Sequence, residues 1–382
     1  MSTSTSGRIV TTHAGSLPRP DDLAEKMWAQ VDGQPVDVGA LQTMIATSVQ
    51  AVVGKQREVG IDLVSDGELG KPGFSTYIES RFTGFAGRSE FQADDVADFP
   101  QLAMRLFATD SMAHVVFSNC VGPVTLKDKD AVHRDIGNLL HALEATGTPV
   151  AQGFMGAVSP GQIAFNYPNQ HYASHTEYLA ALADALHYEY KAIIDAGLNL
   201  QIDSPDLAMA AHCRSVGSSI ERWQEHLPLA IEALNHALDG IPQERVRLHV
   251  CWGNYGGPHH KDVPLRDIID PVLRVNAGFV YVEGANPRHE HEWRVFEDVS
   301  LPDDKALILG VIDVKTNFVE HPRVVADRIV RMARIVGRER VLAATDCGFD
   351  TFIRFSLVDP GVAWLKLRSM VEGAEIASSE LW

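Results

Sequence analysis

Hydrophobic residues along this chain alternate between short apolar runs and longer stretches at helical spacing. The short runs predict eight strands, which begin near residues 9, 61, 149, 198, 246, 279, 307 and 341. Between them, apolar residues recur every three or four positions and predict helices at residues 41–59, 175–196, 219–238 and 322–336. Ser174 and Glu177 form a capping box at the start of the second of these helices, and Gly197 ends it. Short apolar strands that alternate with helices are typical of a parallel sheet.

Eight strand–helix units predict an α/β protein with a (β/α)8 TIM barrel, and an open doubly wound sheet is the alternative. In a barrel, the carboxyl ends of all strands meet on one face, where the chemistry lies. Residues 85–148, between strands 2 and 3, interrupt the pattern with an acidic stretch, a short strand at 114–117 and a helix near 131–146. We interpret this region as an insertion in a single domain that spans residues 1–382.

Composition narrows the class of partner. A hydrophobic content of 45% over 382 residues is enough for a large core, and a formal net charge of -17 argues against nucleic acid and anionic membrane surfaces as partners. The four cysteines are widely and irregularly spaced, which fits a reducing compartment rather than a disulfide framework. With neither a signal peptide nor a membrane span in the sequence, we expect a soluble cytoplasmic protein that acts on small molecules. Homo-oligomerisation is left open.

The strand near residue 246 carries the most informative chemistry. His249 and Cys251 are two residues apart and project from the same face, where an imidazole beside a thiol is the start of a zinc site. The alternative is a buried cysteine next to a hydrogen-bonded histidine. Two later strands end at Glu283 and Cys347, and a barrel would bring all four side chains to one rim. Such a donor set fits tetrahedral zinc and excludes magnesium and calcium.

The charge of this ligand set indicates what the zinc does. Two thiolates and a carboxylate exceed the charge of the ion, so the metal would be a weak Lewis acid that binds an incoming thiol as thiolate. Glu283 is the ligand expected to move when substrate sulfur arrives. A closed zinc site that only braces the barrel is the alternative, although ligands scattered over several strand ends favour catalysis.

Six segments together resemble the catalytic barrel of cobalamin-independent methionine synthase. They occur in the family's order, at residues 11–16, 66–68, 201–205, 249–251, 282–283 and 346–348. The resemblance implies a TIM barrel with His249, Cys251, Glu283 and Cys347 as zinc ligands. It also implies that Ser16, Glu68 and Asp203 hold the homocysteine backbone. Two carboxylates suit an ammonium group, whereas helix capping is the alternative for Glu68 and Asp203.

The sequence departs from the family pattern near strand seven. Lys315 occupies the position of a catalytic histidine of the synthase, so a methyltetrahydrofolate donor is not implied. Trp252 and Asn254, in the loop after the fifth strand, are predicted to contact the substrate. His289 and His291 are predicted to be solvated loop residues.

These features predict a zinc-dependent thiol alkyltransferase that methylates homocysteine to methionine, with Glu68, Asp203 and Lys315 as catalytic residues. Its partners would be a small thiol acceptor and an alkyl donor, which is a methylfolate, methylcobalamin or another small molecule. One alternative is the addition of coenzyme M or another thiol to an epoxide. That reaction needs a cation for the sulfonate, and the candidates Arg19, Lys71 and Arg81 are each more typical of surface charges. Another is a non-catalytic, zinc-braced barrel that binds a thiol or an amino acid.

Overall fold

The barrel is built from eight parallel strands that close on themselves. The structure is a computed structural model and describes residues 7–89, 92–107, 117–211, 213–214, 220–353 and 355–382. The barrel strands are β1 (Val10–Thr11), β2 (Val64–Ser65), β3 (Gly153–Val158), β4 (Asn199–Asp203), β5 (Val246–Val250), β6 (Phe279–Val282), β7 (Ala306–Ile312) and β8 (Val341–Thr345). Their order in the sheet is β1-β8-β7-β6-β5-β4-β3-β2, and every pair in it is parallel.

A seam between β1 and β2 closes the barrel. Leu63 N donates to Thr11 O at 3.1 Å, and Thr12 Oγ1 donates to Leu63 O at 3.3 Å. On the same edge, the Asp62 carboxylate accepts from Thr11 N and pairs with Arg8. The (β/α)8 prediction is therefore confirmed, and the open doubly wound sheet is wrong.

Helices surround the strands. The longer ones are α1 (Asp21–Val31), α2 (Val38–Val59), α3 (Asp130–Ala145), α4 (His175–Asp195), α5 (Ile220–Ala237), α6 (Leu265–Val272), α7 (Pro322–Val336) and α8 (Pro360–Leu381). Shorter helices span Ile78–Arg81, Asp94–Ala97, Pro100–Phe107, Pro160–Asn166, Asp206–Met209 and Val295–Asp298, and 3-10 turns span Val150–Gln152, Gln243–Arg245, Glu292–Arg294 and Arg338–Arg340. Ser174 caps α4 as predicted, because its side chain accepts from Glu177 N. Within the described residues, none of the helices combines the length and apolarity that crossing a membrane requires.

In the described residues, the insertion between β2 and β3 contains the predicted helix, α3, and contributes strands to two antiparallel pairs. Phe85–Ala86 pairs with Asn119–Cys120, whereas Gln92–Ala93 pairs with Cys213–Arg214, which follows β4. The strand predicted at 114–117 lies outside the described residues except for Phe117. Through the second pair, the insertion reaches over the carboxyl ends of the barrel strands.

The barrel interior contains a buried arginine. Arg247 of β5 is 0% exposed, and its guanidinium lies 4.0 Å from the centre of the Phe154 ring. It donates to Thr12 Oγ1 at 2.8 Å and to His13 O at 2.6 Å. Burial lowers the pKa of Arg247 to about 10. The side chain thus connects β5 to the end of β1, where one of the site loops begins.

The contact between α7 and α8 allows a test of the packing. A Cβ at Gly373 of α8 would lie 2.5 Å from Val325 of α7, so we expect Gly373→Ala to destabilise the fold by about 1–3 kcal/mol. Gly137→Ala in α3 is the matched control, since a Cβ there meets no described atom within 4 Å outside the backbone of its own helix. That variant should gain about 0.4–1 kcal/mol. Urea denaturation measures both, and equal free energies of unfolding for the two variants would contradict the packing.

Candidate metal centre

Three predicted ligands meet at the carboxyl-terminal rim of the barrel. His249 lies in β5, Cys251 directly follows β5, and Cys347 follows β8. Their candidate ligand atoms all lie within 4.8 Å of one another, and Cys251 Sγ is 3.6 Å from Cys347 Sγ. All three residues are buried, and both thiols are free. We call this set the three-ligand group.

The neighbouring strand fixes the imidazole of His249. Asp203, at the end of β4, lies beside His249 in the sheet, and its Oδ1 is 2.9 Å from His249 Nδ1. Gln201 Nε2 donates to the same oxygen at 2.8 Å. Burial would lower the pKa of His249, but hydrogen bonds to Asp203 and Cys347 outweigh it and raise this pKa to about 10. With the carboxylate on Nδ1, the nitrogen that can bind a metal is Nε2, which here lies 3.3 Å from Asp346 O.

The two thiols have the geometry and chemistry that zinc requires. Hydrogen bonds from Cys251 and His249 outweigh burial and lower the pKa of Cys347 to about 6, so this thiol ionises readily. Two sulfurs on a tetrahedral zinc, each about 2.3 Å from the ion, would be about 3.8 Å apart, close to the observed 3.6 Å. Thiolate and imidazole donors suit zinc and not magnesium or calcium. These residues therefore fit a zinc ion.

Glu283 lies outside the three-ligand group. Its Oε1 accepts from Trp252 N at 3.1 Å, and its Oε2 accepts from Asn286 Nδ2 at 2.6 Å and from Lys315 Nζ at 3.1 Å. Burial would raise the pKa of Glu283, but the positive charge of Lys315, with smaller contributions from His289 and His259, lowers it to about 2. Glu283 is thus a buried anion paired with Lys315. Its role as fourth ligand and the catalytic role of Lys315 stay predictions.

A cavity of about 1160 Å³, including its open mouth, adjoins the three-ligand group. Its polar lining includes Ser16, Glu68, Asp203 and Asn254, all predicted to contact the substrate. A second part of the lining is apolar and includes Phe74, Ala93, Leu106, Phe117, Met209, Phe352 and Phe355, of which Ala93, Leu106 and Phe117 belong to the insertion. An apolar cavity with a few converging polar groups is typical of a small-molecule site.

Two carboxylates converge above Gly156 of β3. A Cβ at this position would lie 2.9 Å from Glu68 Oε1 and 3.3 Å from Asp203 Oδ2, so the glycine leaves room for both acids. Glu68 has a φ of 58°, a left-handed conformation that non-glycine residues rarely adopt outside functional sites. Burial, followed by the charge of Asp203, raises the pKa of Glu68 to about 8. Two buried carboxylates at one point of a cavity favour a cationic ligand.

Comparison with known proteins assigns the family. Residues 155–375 match the family model described as cobalamin-independent synthase, catalytic domain. The chain belongs to this family. It is 26% identical to a methionine synthase of Thermococcus kodakarensis (98% of this chain, 94% of the relative), and 25% identical to the 2-hydroxypropyl-CoM lyase of Xanthobacter autotrophicus (98% and 96%).

The fold is shared with a solved structure. A B12-independent methionine synthase from Shewanella sp. W3-18-1, solved in complex with selenomethionine, superposes with a TM-score of 0.72 at 23% identity, covering 98% of this chain and 99% of that one. The family match confirms the resemblance seen in the sequence. Family membership supports a thiol alkyltransferase that acts on small molecules.

Asn254 and Trp252, both predicted to contact the substrate, differ in their position relative to the cavity. Asn254 lines the cavity, and its Nδ2 donates to Gly348 O at 2.7 Å and to Thr351 Oγ1 at 2.6 Å. Trp252 is fully buried, and its Nε1 donates to Val263 O at 2.7 Å. It is not among the described residues that line the cavity. Its indole instead stacks on the His289 ring, and its backbone N–H donates to Glu283 Oε1.

The two histidines after β6 have different environments. His291 is exposed, as predicted. His289 is 2% exposed and stacks on Trp252 at 4.2 Å, so the prediction of a solvated residue is wrong for it. Its ring nitrogens lie 2.9 Å from Asp262 Oδ2 and 2.9 Å from Glu292 Oε2. These carboxylates offset the burial of the ring and raise the pKa of His289 to about 9.

The three cations considered for a sulfonate are buried instead of being surface charges. Arg19 Nη1 pairs with Asp350 at 3.0 Å, and Arg81 Nη1 pairs with Glu189 at 3.0 Å. Lys71 Nζ donates to Gly156 O at 2.5 Å. None of the three is among the described residues that line the cavity.

Sequence reasoning missed Asp346, which joins two site loops. Its Oδ1 accepts from the backbone N–H groups of Gly284 and Ala285 at 2.9 Å each, and its Oδ2 accepts from Asn286 N at 2.8 Å. The loop that carries Glu283 is therefore anchored next to Cys347. The available signal was its position in the segment 346–348, immediately before the cysteine.

Proposed function

We propose that this chain is a zinc-dependent thiol alkyltransferase that methylates homocysteine to methionine. The observation that carries the proposal is the three-ligand group, whose ligand atoms lie within 4.8 Å of one another in the wall of a cavity that also contains Glu68 and Asp203. One half of this arrangement suits a thiol and the other half suits an ammonium group. Homocysteine has both.

Each residue has a distinct task in the proposed reaction. His249, Cys251 and Cys347 would hold zinc, which supplies the positive charge that keeps a substrate thiol deprotonated at neutral pH. Asp203 keeps the His249 ring in its orientation through Nδ1. Glu68 and the second oxygen of Asp203 accept hydrogen bonds from the substrate ammonium, whose charge relieves the repulsion between the two acids.

Ser16, Glu283 and Lys315 complete the proposal. Ser16 is buried where the loops after β1 and β8 meet, and it offers its hydroxyl to the substrate carboxylate. Glu283 is kept as the fourth ligand. Lys315 is an ion-pair partner for the Glu283 carboxylate when that carboxylate is away from the three-ligand group, and the two are 3.1 Å apart here. The apolar lining of the cavity accommodates the alkyl donor.

X-ray absorption of the zinc-loaded protein tests the central step. On adding homocysteine, we expect the number of sulfur neighbours at about 2.3 Å from zinc to rise from two to three. The cobalt-substituted protein should show a matching change in its visible spectrum. An unchanged sulfur count at saturating homocysteine contradicts the proposal.

A second candidate is the addition of coenzyme M or another thiol to an epoxide, favoured by the similarity to the 2-hydroxypropyl-CoM lyase. It would use the same thiol activation but needs a cation for the sulfonate, and Arg19, Lys71 and Arg81 are engaged elsewhere. A cobalt spectrum that responds to coenzyme M and not to homocysteine would favour this reaction. A response to neither thiol would favour the non-catalytic, zinc-braced barrel.

A further inference from the structure

Gln162 places an unpaired hydrogen-bond acceptor at the cavity wall. It lies in the short helix Pro160–Asn166 after β3, lines the cavity, and is 0% exposed. Its Nε2 donates to Asn166 Oδ1 at 3.0 Å, and Asn166 Nδ2 donates to Ser75 Oγ at 2.9 Å. Gln162 Oε1 has no hydrogen-bond partner in the described part of the chain. A buried amide oxygen without a partner is unfavourable unless a ligand supplies the donor.

The same strand–helix unit ties Gln162 to the two carboxylates. Ser159 N donates to Asp203 O at 3.1 Å, and Ser159 Oγ accepts from Gln162 N at 3.0 Å. Ser159 Oγ also donates to Asp206 at 2.9 Å, which links the start of this helix to the start of the short helix Asp206–Met209 after β4. Six positions before Gln162, the chain passes through Gly156, above which Glu68 and Asp203 converge. This segment therefore places Gln162 in the cavity that Glu68 and Asp203 also line.

A primary ammonium group has three N–H donors and no acceptor. Glu68, Asp203 and Gln162 Oε1 together offer one acceptor for each donor. We propose that Gln162 determines specificity by accepting a hydrogen bond from the ammonium group of the substrate, so that the site selects a primary amino thiol over a thiol without an amino group. This inference rests on the proposed function. It adds Gln162 as a third acceptor beside the carboxylates of Glu68 and Asp203.

Calorimetric binding to the zinc-loaded full chain tests this assignment with two thiols. Homocysteine carries the ammonium, and 4-mercaptobutanoate lacks it but is otherwise the same. Gln162→Leu should weaken homocysteine binding by about 10- to 100-fold, the usual cost of losing a hydrogen bond to a charged group. The affinity for 4-mercaptobutanoate should change less than about threefold. Gln162→Glu keeps an acceptor oxygen but loses the donor to Asn166 Oδ1, so it should bind homocysteine more tightly than Gln162→Leu does.

Gln152→Leu is the matched control. Gln152 also has an unpaired Oε1 in the described part of the chain, but it precedes β3 and does not line the cavity among the described residues. Its replacement should leave both affinities unchanged. Equal weakening of the two thiols by Gln162→Leu, or no weakening of homocysteine, overturns the inference and leaves the proposed function standing. If calorimetry detects no binding of homocysteine to the unmodified zinc-loaded protein, the proposed function itself is wrong.

A ligand-side measurement covers the case in which Gln162→Leu does not fold. N,N-dimethylhomocysteine keeps the thiol and the positive charge but has one N–H donor in place of three. The unmodified protein should bind it at least about tenfold more weakly than homocysteine. Equal affinities for the two ligands would mean that the third acceptor is not used, and the inference would be overturned.

Discussion

Replacing Cys347 with serine is expected to remove zinc from the protein and to weaken homocysteine binding by more than about 1000-fold. A serine hydroxyl stays protonated near neutral pH and is a hard donor, so only Cys251 and His249 of the three-ligand group would remain. The lowered pKa of Cys347, about 6, also makes it the thiol that ionises first. Zinc per protein after dialysis against a chelator measures the first effect, and calorimetry measures the second.

Cys120→Ser is the matched control for this experiment. Cys120 is also buried but lies in the insertion, where its Sγ donates to Gly122 O at 3.5 Å, so a serine hydroxyl finds an acceptor there. This variant should keep one zinc per chain. Full zinc retention in Cys347→Ser would refute the proposed site. Zinc loss in both variants would instead point to a general loss of stability.

The second large effect is expected for Asp203→Asn, because Asp203 serves both halves of the site. One carboxylate oxygen holds His249 Nδ1, and the other faces the cavity above Gly156. Losing the negative charge of the carboxylate that is hydrogen-bonded to His249 Nδ1 should weaken zinc binding by about 10- to 100-fold. At saturating zinc, homocysteine binding should also fall by about 10- to 100-fold, since the ammonium loses a charged acceptor.

Glu68→Gln separates the two roles of Asp203. Glu68 converges on the same point above Gly156, but no hydrogen bond connects its carboxylate to the three-ligand group in the described structure. The variant should bind zinc normally and lose homocysteine affinity by about 10- to 100-fold. Competition with a zinc-binding dye gives the metal affinities. Equal zinc affinities in Asp203→Asn and Glu68→Gln would argue against the role of Asp203 in orienting the His249 ring.

Much of the barrel could be predicted because its signal is local. Each buried parallel strand is an apolar run, each helix has an apolar stripe, and their alternation leaves few topologies. The rim could be located for the same reason: a side chain at the carboxyl end of a strand must lie on the catalytic face. His249 and Cys347 are 98 residues apart in the sequence, yet this rule was enough to bring them together.

The rest of the site depends on contacts that no local pattern specifies. Glu283 was predicted as a ligand from its strand end, but its observed partners include Lys315, which comes from the loop of the next strand. His289 was predicted to be solvated, but it is buried beside Asp262, which belongs to a different loop, and no local pattern shows that contact. Gln162 has no motif around it, and only the hydrogen-bond pattern of Asn166 and Ser75 reveals its unpaired oxygen.

The seam that closes the barrel joins its two shortest strands, each of two residues. Ser16 follows one of them and Glu68 follows the other, so a substrate held by both residues would bridge the seam. Ligand binding and the pairing of β1 with β2 then become coupled equilibria, and each favours the other by the same free energy. The bound amino acid would then add a reversible link between β1 and β2, which are joined here by hydrogen bonds from Leu63 N to Thr11 O and from Thr12 Oγ1 to Leu63 O.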